Sequence, residues 1–450
     1  MIQTRKAHSF GGLIVVTLLV GLLLAACGDS TPAPLSTTTT VTKPTNTAVA
    51  APNPVTISWS FWGDDDEIKI NTKIKDQFEK FNPGIKVQML HEKWENYFNR
   101  VESDWSGSKA PDVLFLSYIP QYASEGILEN IDPLISADKN IKIEDIYSGL
   151  LDTFRYNKGL YGLPRDNDTK VIYVNKKLFE AAGVPLPKAG WTWQELLDIS
   201  RKLTKRDAAG NISQYAYAFE LNEWWKLWVW QNGGEVFDNF NPPEPPTKLL
   251  VNTPDAAAGV QFFADLINKE KVTPSVDVMY DSDKATELFT SGKLAMLFGN
   301  HAKVPALSAV SGLSWDVLPL PAGKKRVNVL GGAGYSISKN SQHKNEAWQF
   351  VKFLTGDDGQ AFFAETGVVV PARSSVREDN IFVRNIKFNT QVFVDETKVG
   401  KQILFFRNST KVSRTMDSAL EAVWRGQKTA AEVFATLPDK VEPIFAESKR

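Results

Sequence analysis

The chain has 450 residues, 43% hydrophobic and 23% charged, which fits a soluble folded body and excludes a disordered or multiply membrane-spanning chain. With 51 Lys and Arg against 52 Asp and Glu, the formal net charge of -1 lacks the basic excess that phosphate binding needs, so nucleic acid is not expected as a partner. One cysteine and 13 tryptophans are the unusual counts.

Arg5 and Lys6 precede an apolar stretch from Leu13 to Ala26, too short for a comfortable bilayer span but suited to the core of a signal peptide. It ends in Leu24-Ala25-Ala26-Cys27, which resembles a bacterial lipobox: small residues before the cleavage point, then the thiol that takes a diacylglyceryl group through a thioether. Residues 1–26 therefore read as a lipoprotein signal peptide and Cys27 as the lipidated residue. The mature chain would keep 49 bases against 52 acids, a net charge of -3, and no free thiol for a disulfide. Residues 27–54, rich in Thr, Pro, Ala and Ser and without an aromatic residue, cannot bury a core and read as a flexible tether. The expected location is extracytoplasmic, anchored by lipid to the outer face of the cell membrane.

From Val55 the pattern becomes that of a folded body. Val55 to Phe61 alternates as a strand, and Gly63-Asp64-Asp65-Asp66-Glu67 opens an amphipathic helix to Phe81, with acids at its N-terminus. Asn82-Pro83-Gly84 stops it; Ile85 to Met89 reads as a strand, Trp94 to Trp105 as helical, and Asp112 to Leu116 as a third strand. This alternation predicts an α/β fold of parallel strands, with ligand contacts in the loops after the strands. Further on, Lys170 to Val174 reads as a strand, Thr192 with Glu195 as a capping box, and Pro254 to Asn268 and Lys344 to Leu354 as helices. Pro242 to Pro246 reads as a surface loop, and there is no internal repeat.

No P-loop, His-Glu-x-x-His or Gly-x-Ser-x-Gly pattern is present, and three histidines without a cysteine make a zinc site in the mature body unexpected. The cluster Gly331-Gly332-Ala333-Gly334 lacks dinucleotide spacing and reads first as a tight turn. What the loops after strands do carry is aromatic and polar: Trp62 with Asp64 and Asp65, Ser117 with Tyr118, Asp166-Asn167-Asp168, and the run Trp224, Trp225, Trp228, Trp230. Sugars present apolar C–H faces rimmed by hydroxyls, which aromatic rings and carboxylate, amide or guanidinium groups meet. Helical spacing puts Trp224 and Trp228 on one face and Trp225 on another, so at least half of that run reads as core.

Several segments together carry a resemblance. Ala110-Pro111-Asp112-Val113-Leu114-Phe115, Tyr161 to Asp166 leading to Val171-Ile172-Tyr173-Val174-Asn175-Lys176, and Gly190-Trp191-Thr192-Trp193 resemble family 1 of the extracellular solute-binding proteins. So do Gly292-Lys293-Leu294-Ala295-Met296, Gly334-Tyr335-Ser336-Ile337-Ser338-Lys339, Glu346 to Leu354, and Gly367-Val368-Val369-Val370-Pro371-Ala372-Arg373. The resemblance implies an α/β, two-lobed periplasmic-binding-protein-like fold of type II with a hinge and an interlobe cleft. Lobe one would be 55–165 with 326–370, and lobe two 166–325 with 371–450.

It also implies a sugar receptor of an ABC importer, without catalysis or cofactor, working as a monomer with a carbohydrate ligand and a separate membrane permease. The ligand contacts it suggests fall on Trp62, Asp64, Asp65, Ser117, Tyr118, Asp166 and Asp168, and the further candidates are Trp94, Asn167, Glu223, Trp224, Asn300, His301, Gly331, Gly332 and Arg373. Relatives often place a cleft Trp shortly after Gly-Lys-x-Ala-Met; this chain has Gly299-Asn300-His301-Ala302-Lys303 there, which leaves the sugar open. His301 reads equally as a ligand contact or a solvent-facing loop residue. The rival readings are a same-fold receptor for a non-sugar solute and a secreted glycoside hydrolase.

Overall fold

The computed structural model describes residues 53–448 except 64, 108, 240–244, 367–368 and 379–387. The signal segment, Cys27, nearly all of the tether, Asp64, Pro242 to Glu244 and Gly367-Val368 lie outside the described residues.

The first strand, Val55–Trp62, buries Ile57, Trp59 and Phe61 completely, the period-two pattern seen in its sequence. It pairs in parallel with Ile85–Glu92, from Val55 opposite Ile85 to Trp62 opposite Glu92, with the helix Asp65–Phe81 as crossover. That helix ends where the Asn82 side-chain amide donates to the Phe78 carbonyl at 3.0 Å. The sheet runs in the order Ile85–Glu92, Val55–Trp62, Val113–Leu116, Gly334–Ile337, Leu163–Pro164. Its core includes Phe78, Val113, Tyr335 and Phe350.

A second five-stranded sheet runs Trp315–Leu318, Val171–Asn175, Leu294–Gly299, Ile212–Ala218, Lys205–Arg206. It packs under the helices Trp193–Leu203, Trp225–Gln231, Pro254–Asn268 and Ser409–Trp424. The helix Trp193–Leu203 begins with the expected capping box: Thr192 Oγ1 accepts from the Glu195 N–H, and Glu195 Oε2 accepts from the Thr192 N–H at 2.8 Å. The helix Pro254–Asn268 has the bounds read from sequence.

The expectation of parallel strands needs correction. Gly334–Ile337 is antiparallel to Val113–Leu116, and Val171–Asn175 is antiparallel to both of its neighbours. The reason is connectivity: Gly334–Ile337 enters the first sheet only after the chain has visited the second body, so no local βαβ crossover sets its direction. The segment near 326–330 also differs from expectation. Asn328–Leu330 pairs with Gly400–Gln402, and Val329 packs in the second core rather than the first. No helix among the described residues is long and apolar enough to cross a membrane.

Candidate functional site

The chain passes between the two bodies at 164–171, at 330–334 and between Ala372 and Val376. The first two crossings run side by side: the Asp168 N–H donates to the Gly331 carbonyl at 2.8 Å, and the Ala333 N–H donates to Asp166 Oδ1 at 2.8 Å. A Cβ on Gly332 would lie 2.2 Å from the Asp166 carbonyl oxygen, so only glycine permits this approach. Gly331 and Gly332 thus act through their backbone.

On the first body the post-strand residues form an aromatic run. Trp62, half-buried, stacks on Phe115 with centroids 4.2 Å apart and meets Trp94 edge-on at 5.1 Å. Trp94 opens the helix Trp94–Ser106 and is 44% exposed, the most open ring of the group. Phe98 links Trp94 to Tyr118, and Tyr118 reaches Phe405 of the second body at 4.7 Å. Burial raises the Tyr118 hydroxyl pKa far above its usual value, and the nearby Glu223 and Asp417 carboxylates add to the rise. Ser117 lies half-buried beside it, while Asp65 is exposed at a helix start.

At the first crossing, Asp168 keeps 29% of its side chain exposed and lies 3.6 Å from Lys170 Nζ. Lys170 Nζ sits 3.7 Å over the Trp224 ring, so the ammonium covers one face of this expected stacking platform. Glu223 lies 3.6 Å from Lys226, which in turn donates to Ser413 Oγ. Asp417 accepts from the Trp225 indole N–H at 2.8 Å.

Several expected contacts are occupied by the fold itself. Asp166 is held by the Arg165 guanidinium at 2.9 Å, and burial raises its pKa in spite of that partner. Asn167 is 1% exposed and donates to Thr397 Oγ1, so it braces the crossing instead of facing ligand. Arg373, 3% exposed, donates to the carbonyls of Thr355 and Lys142 at 2.6 and 3.0 Å and is a brace of the first body. His301 is enclosed at 4% exposure, edge-on to Phe393 at 4.8 Å, which removes the solvent-facing reading. Asn300 is half-buried, and its carbonyl accepts from the Tyr173 hydroxyl at 2.7 Å.

A cavity of about 650 Å³ opens between the helices Trp94–Ser106 and Ile119–Ser124 of the first body and Ser409–Trp424 of the second. Asn99, Glu102, Trp105 and Gln121 line one wall, Thr410 and Arg414 the other. None of the residues expected from sequence lines it. The two walls are joined where Ser409 and Thr410 donate to Gln121 Oε1, each at 3.1 Å. Its lining residues sit mostly on helices, outside the loops after strands where the sequence carries its aromatic and polar signals, so no sequence signal marks this groove.

Asp417 gives the site a titration. Burial pushes its carboxyl up to about 6, with Lys226 and the Trp225 N–H opposing and Glu223 adding. Unfolded, the group titrates near the ordinary Asp value of about 3.9. The folded state therefore holds a proton that the unfolded chain releases, and ionising Asp417 lowers stability as pH rises through 6. Asp417→Asn is expected to gain about 2–3 kcal/mol over the parent at pH 7.5 and much less at pH 4.5. Urea unfolding at both pH values reads this directly, and an equal gain at both would refute it.

Two α/β bodies joined by three crossings, with aromatic and polar side chains between them, define a two-lobed solute receptor fold. Residues 65–361 match the bacterial extracellular solute-binding proteins, and the chain belongs to that family. Among solved structures, an ABC substrate-binding protein of Listeria monocytogenes in complex with cycloalternan superposes with a TM-score of 0.79 at 22% identity, covering 88% of this chain and 100% of that one. An ABC transporter solute-binding protein of Thermotoga lettingae bound to α-D-tagatose gives 0.76 at 22% identity, covering 87% and 100%. The galactooligosaccharide-binding protein of Bacillus subtilis is 23% identical over 78% of this chain and 80% of its own length.

Proposed function

We propose that the protein is the extracytoplasmic carbohydrate receptor of an ABC importer, tethered by a lipid at Cys27, and that it binds sugar without breaking a bond. The observation that carries this reading is the pairing of surfaces: the open ring of Trp94 beside Trp62 and Tyr118 on one body, and Asp168 and Glu223, both partly open, on the other. Such a pairing meets the C–H faces and hydroxyls of a sugar at once. The sugars held by the Listeria and Thermotoga structures support the same class.

The two bodies then act as lobes, one centred on 55–165 and the other on 166–325, hinged at the crossings. Ligand contacts drawn from both lobes favour the closed form by their differential affinity, and the closed monomer is what a separate permease accepts. A thermal-shift screen over mono- and oligosaccharides tests the reading, because a ligand of the folded state raises the midpoint by mass action. Silence across the sugars would favour a non-sugar solute, and reducing-sugar release under turnover would favour a hydrolase. Asp168→Ala is expected to weaken sugar binding at least tenfold, about 1.4 kcal/mol, in a chain that still folds. Unchanged affinity by calorimetry would remove Asp168 from the site.

A further inference from the structure

Lys170 is almost enclosed, with 3% of its side chain exposed, and it is held rigidly. Its backbone N–H donates to Asn328 Oδ1 at 3.1 Å and its carbonyl accepts from Asn328 Nδ2 at 2.7 Å, while Glu396 holds that amide at 2.6 Å. The ammonium lies over Trp224 and 3.6 Å from Asp168 Oδ2, beyond ordinary hydrogen-bond length. Among the described residues no oxygen accepts a hydrogen bond from it, and the Asp168 carboxylate receives none. An ammonium so deeply placed is costly unless its donors are met.

Another enclosed lysine makes the contrast. Lys303 donates to Ser282 Oγ at 2.6 Å and to Thr286 Oγ1 at 3.4 Å, with Glu220 at 3.7 Å. Its needs are met within the protein. Those of Lys170 are not, and Asp168 beside it is open to solvent.

We propose that Lys170 is a ligand-binding residue, and that Asp168 and Lys170 together grip two adjacent hydroxyls of a neutral sugar. The carboxylate accepts from one hydroxyl, and the ammonium donates to the oxygen of its neighbour. This rests on the carbohydrate-receptor reading and narrows it. A neutral ligand fits because the charges are already matched: Asp168 with Lys170, Glu220 with Lys303, Glu223 with Lys226. An anionic group entering here would meet Asp168 without a spare cation. Trp224, one face covered, then fixes the ammonium rather than offering that face to the sugar.

Calorimetry with maltose, lactose, galactose and tagatose, the monodeoxy forms of whichever binds best, and glucuronate tests the assignment. Lys170→Met keeps the alkyl stem on Trp224 and should bind the best sugar at least 30-fold more weakly, while Lys170→Arg should recover most of that loss. One monodeoxy sugar should cost the parent protein tenfold or more, yet cost Lys170→Met little, because the partner of that hydroxyl is already gone. A purely structural lysine would leave the deoxy penalty in place, and that result overturns the proposal. So does unchanged affinity in Lys170→Met, or glucuronate binding the parent more tightly than the neutral sugars. Should Lys170→Met fail to fold, Lys170→Gln with the same deoxy series decides. If the parent binds none of these sugars, the carbohydrate reading falls and this assignment with it; if the parent binds and Lys170→Met binds equally well, only this assignment falls.

Discussion

Arg165→Met is expected to lower stability by about 3–5 kcal/mol at pH 7.5, the cost typical of breaking a buried ion pair from one side. Arg165 is 7% exposed and its guanidinium bonds both Glu67, on the helix Asp65–Phe81, and Asp166, at the start of the first crossing. It also lies over the rings of Phe115 at 4.1 Å and Phe363 at 5.3 Å. Burial opposes its charge, but Glu67 and Asp166 outweigh that and raise its pKa. Methionine would fill much of the space and leave two enclosed carboxylates without their cation. Asp166, whose pKa burial already raises, would then take up a proton more readily folded than unfolded, so the loss should shrink as pH falls towards 5. Urea unfolding at pH 7.5 and pH 5 measures both effects. A loss below about 1 kcal/mol at pH 7.5, or one that does not shrink at pH 5, would mean that Arg165 does not hold this crossing together.

The same residue explains why the site was only partly legible in the sequence. Asp166 and Asp168 are the same residue type two positions apart in a loop beside a strand, and nothing local separates them. What separates them is Arg165, whose second carboxylate comes from Glu67, 98 residues earlier in the chain. Asn167 and Arg373 were lost to long-range partners in the same way, Asn167 to Thr397 and Arg373 to Lys142 and Thr355. Lys170 shows the reverse: as the first residue of an apolar strand pattern it carried no sign of function, which came only when Trp224 and Asp168 closed around it.

Local signals fared better, because their partners lie a few residues away. The Thr192 and Glu195 cap, the bounds of Pro254–Asn268, and the buried alternation of Ile57, Trp59 and Phe61 depend on periodicity and short hydrogen bonds. Strand direction did not follow from such signals. Gly334–Ile337 is antiparallel to its neighbours because the chain returns to the first sheet from another body, and periodicity is silent on where a strand comes from.

Trp228→Ala is expected to cost about 3–5 kcal/mol, the range for deleting a buried aromatic ring. Helical spacing left the tryptophan run divided between core and cleft. In the fold Trp225, Trp228 and Trp230 are 0%, 1% and 2% exposed, because their helix is surrounded on all sides, and Trp224 alone is partly open. Trp228 stacks on Phe263 with centroids 4.1 Å apart and planes within 9°, and meets Phe219 and Trp424 edge-on. The space it would vacate cannot easily collapse. A Cβ on Gly259 would already lie 2.5 Å from the Trp228 carbonyl oxygen, so the two helices are in backbone contact and cannot move closer. Trp228→Phe keeps a ring against Phe263 and should lose less, about 1–3 kcal/mol. Sugar affinity of the folded fraction should stay within a few-fold of the parent in both variants, since the ring lies in the core behind Trp224. Urea unfolding paired with calorimetry separates the two roles: a large loss of affinity at unchanged stability would return Trp228 to the cleft.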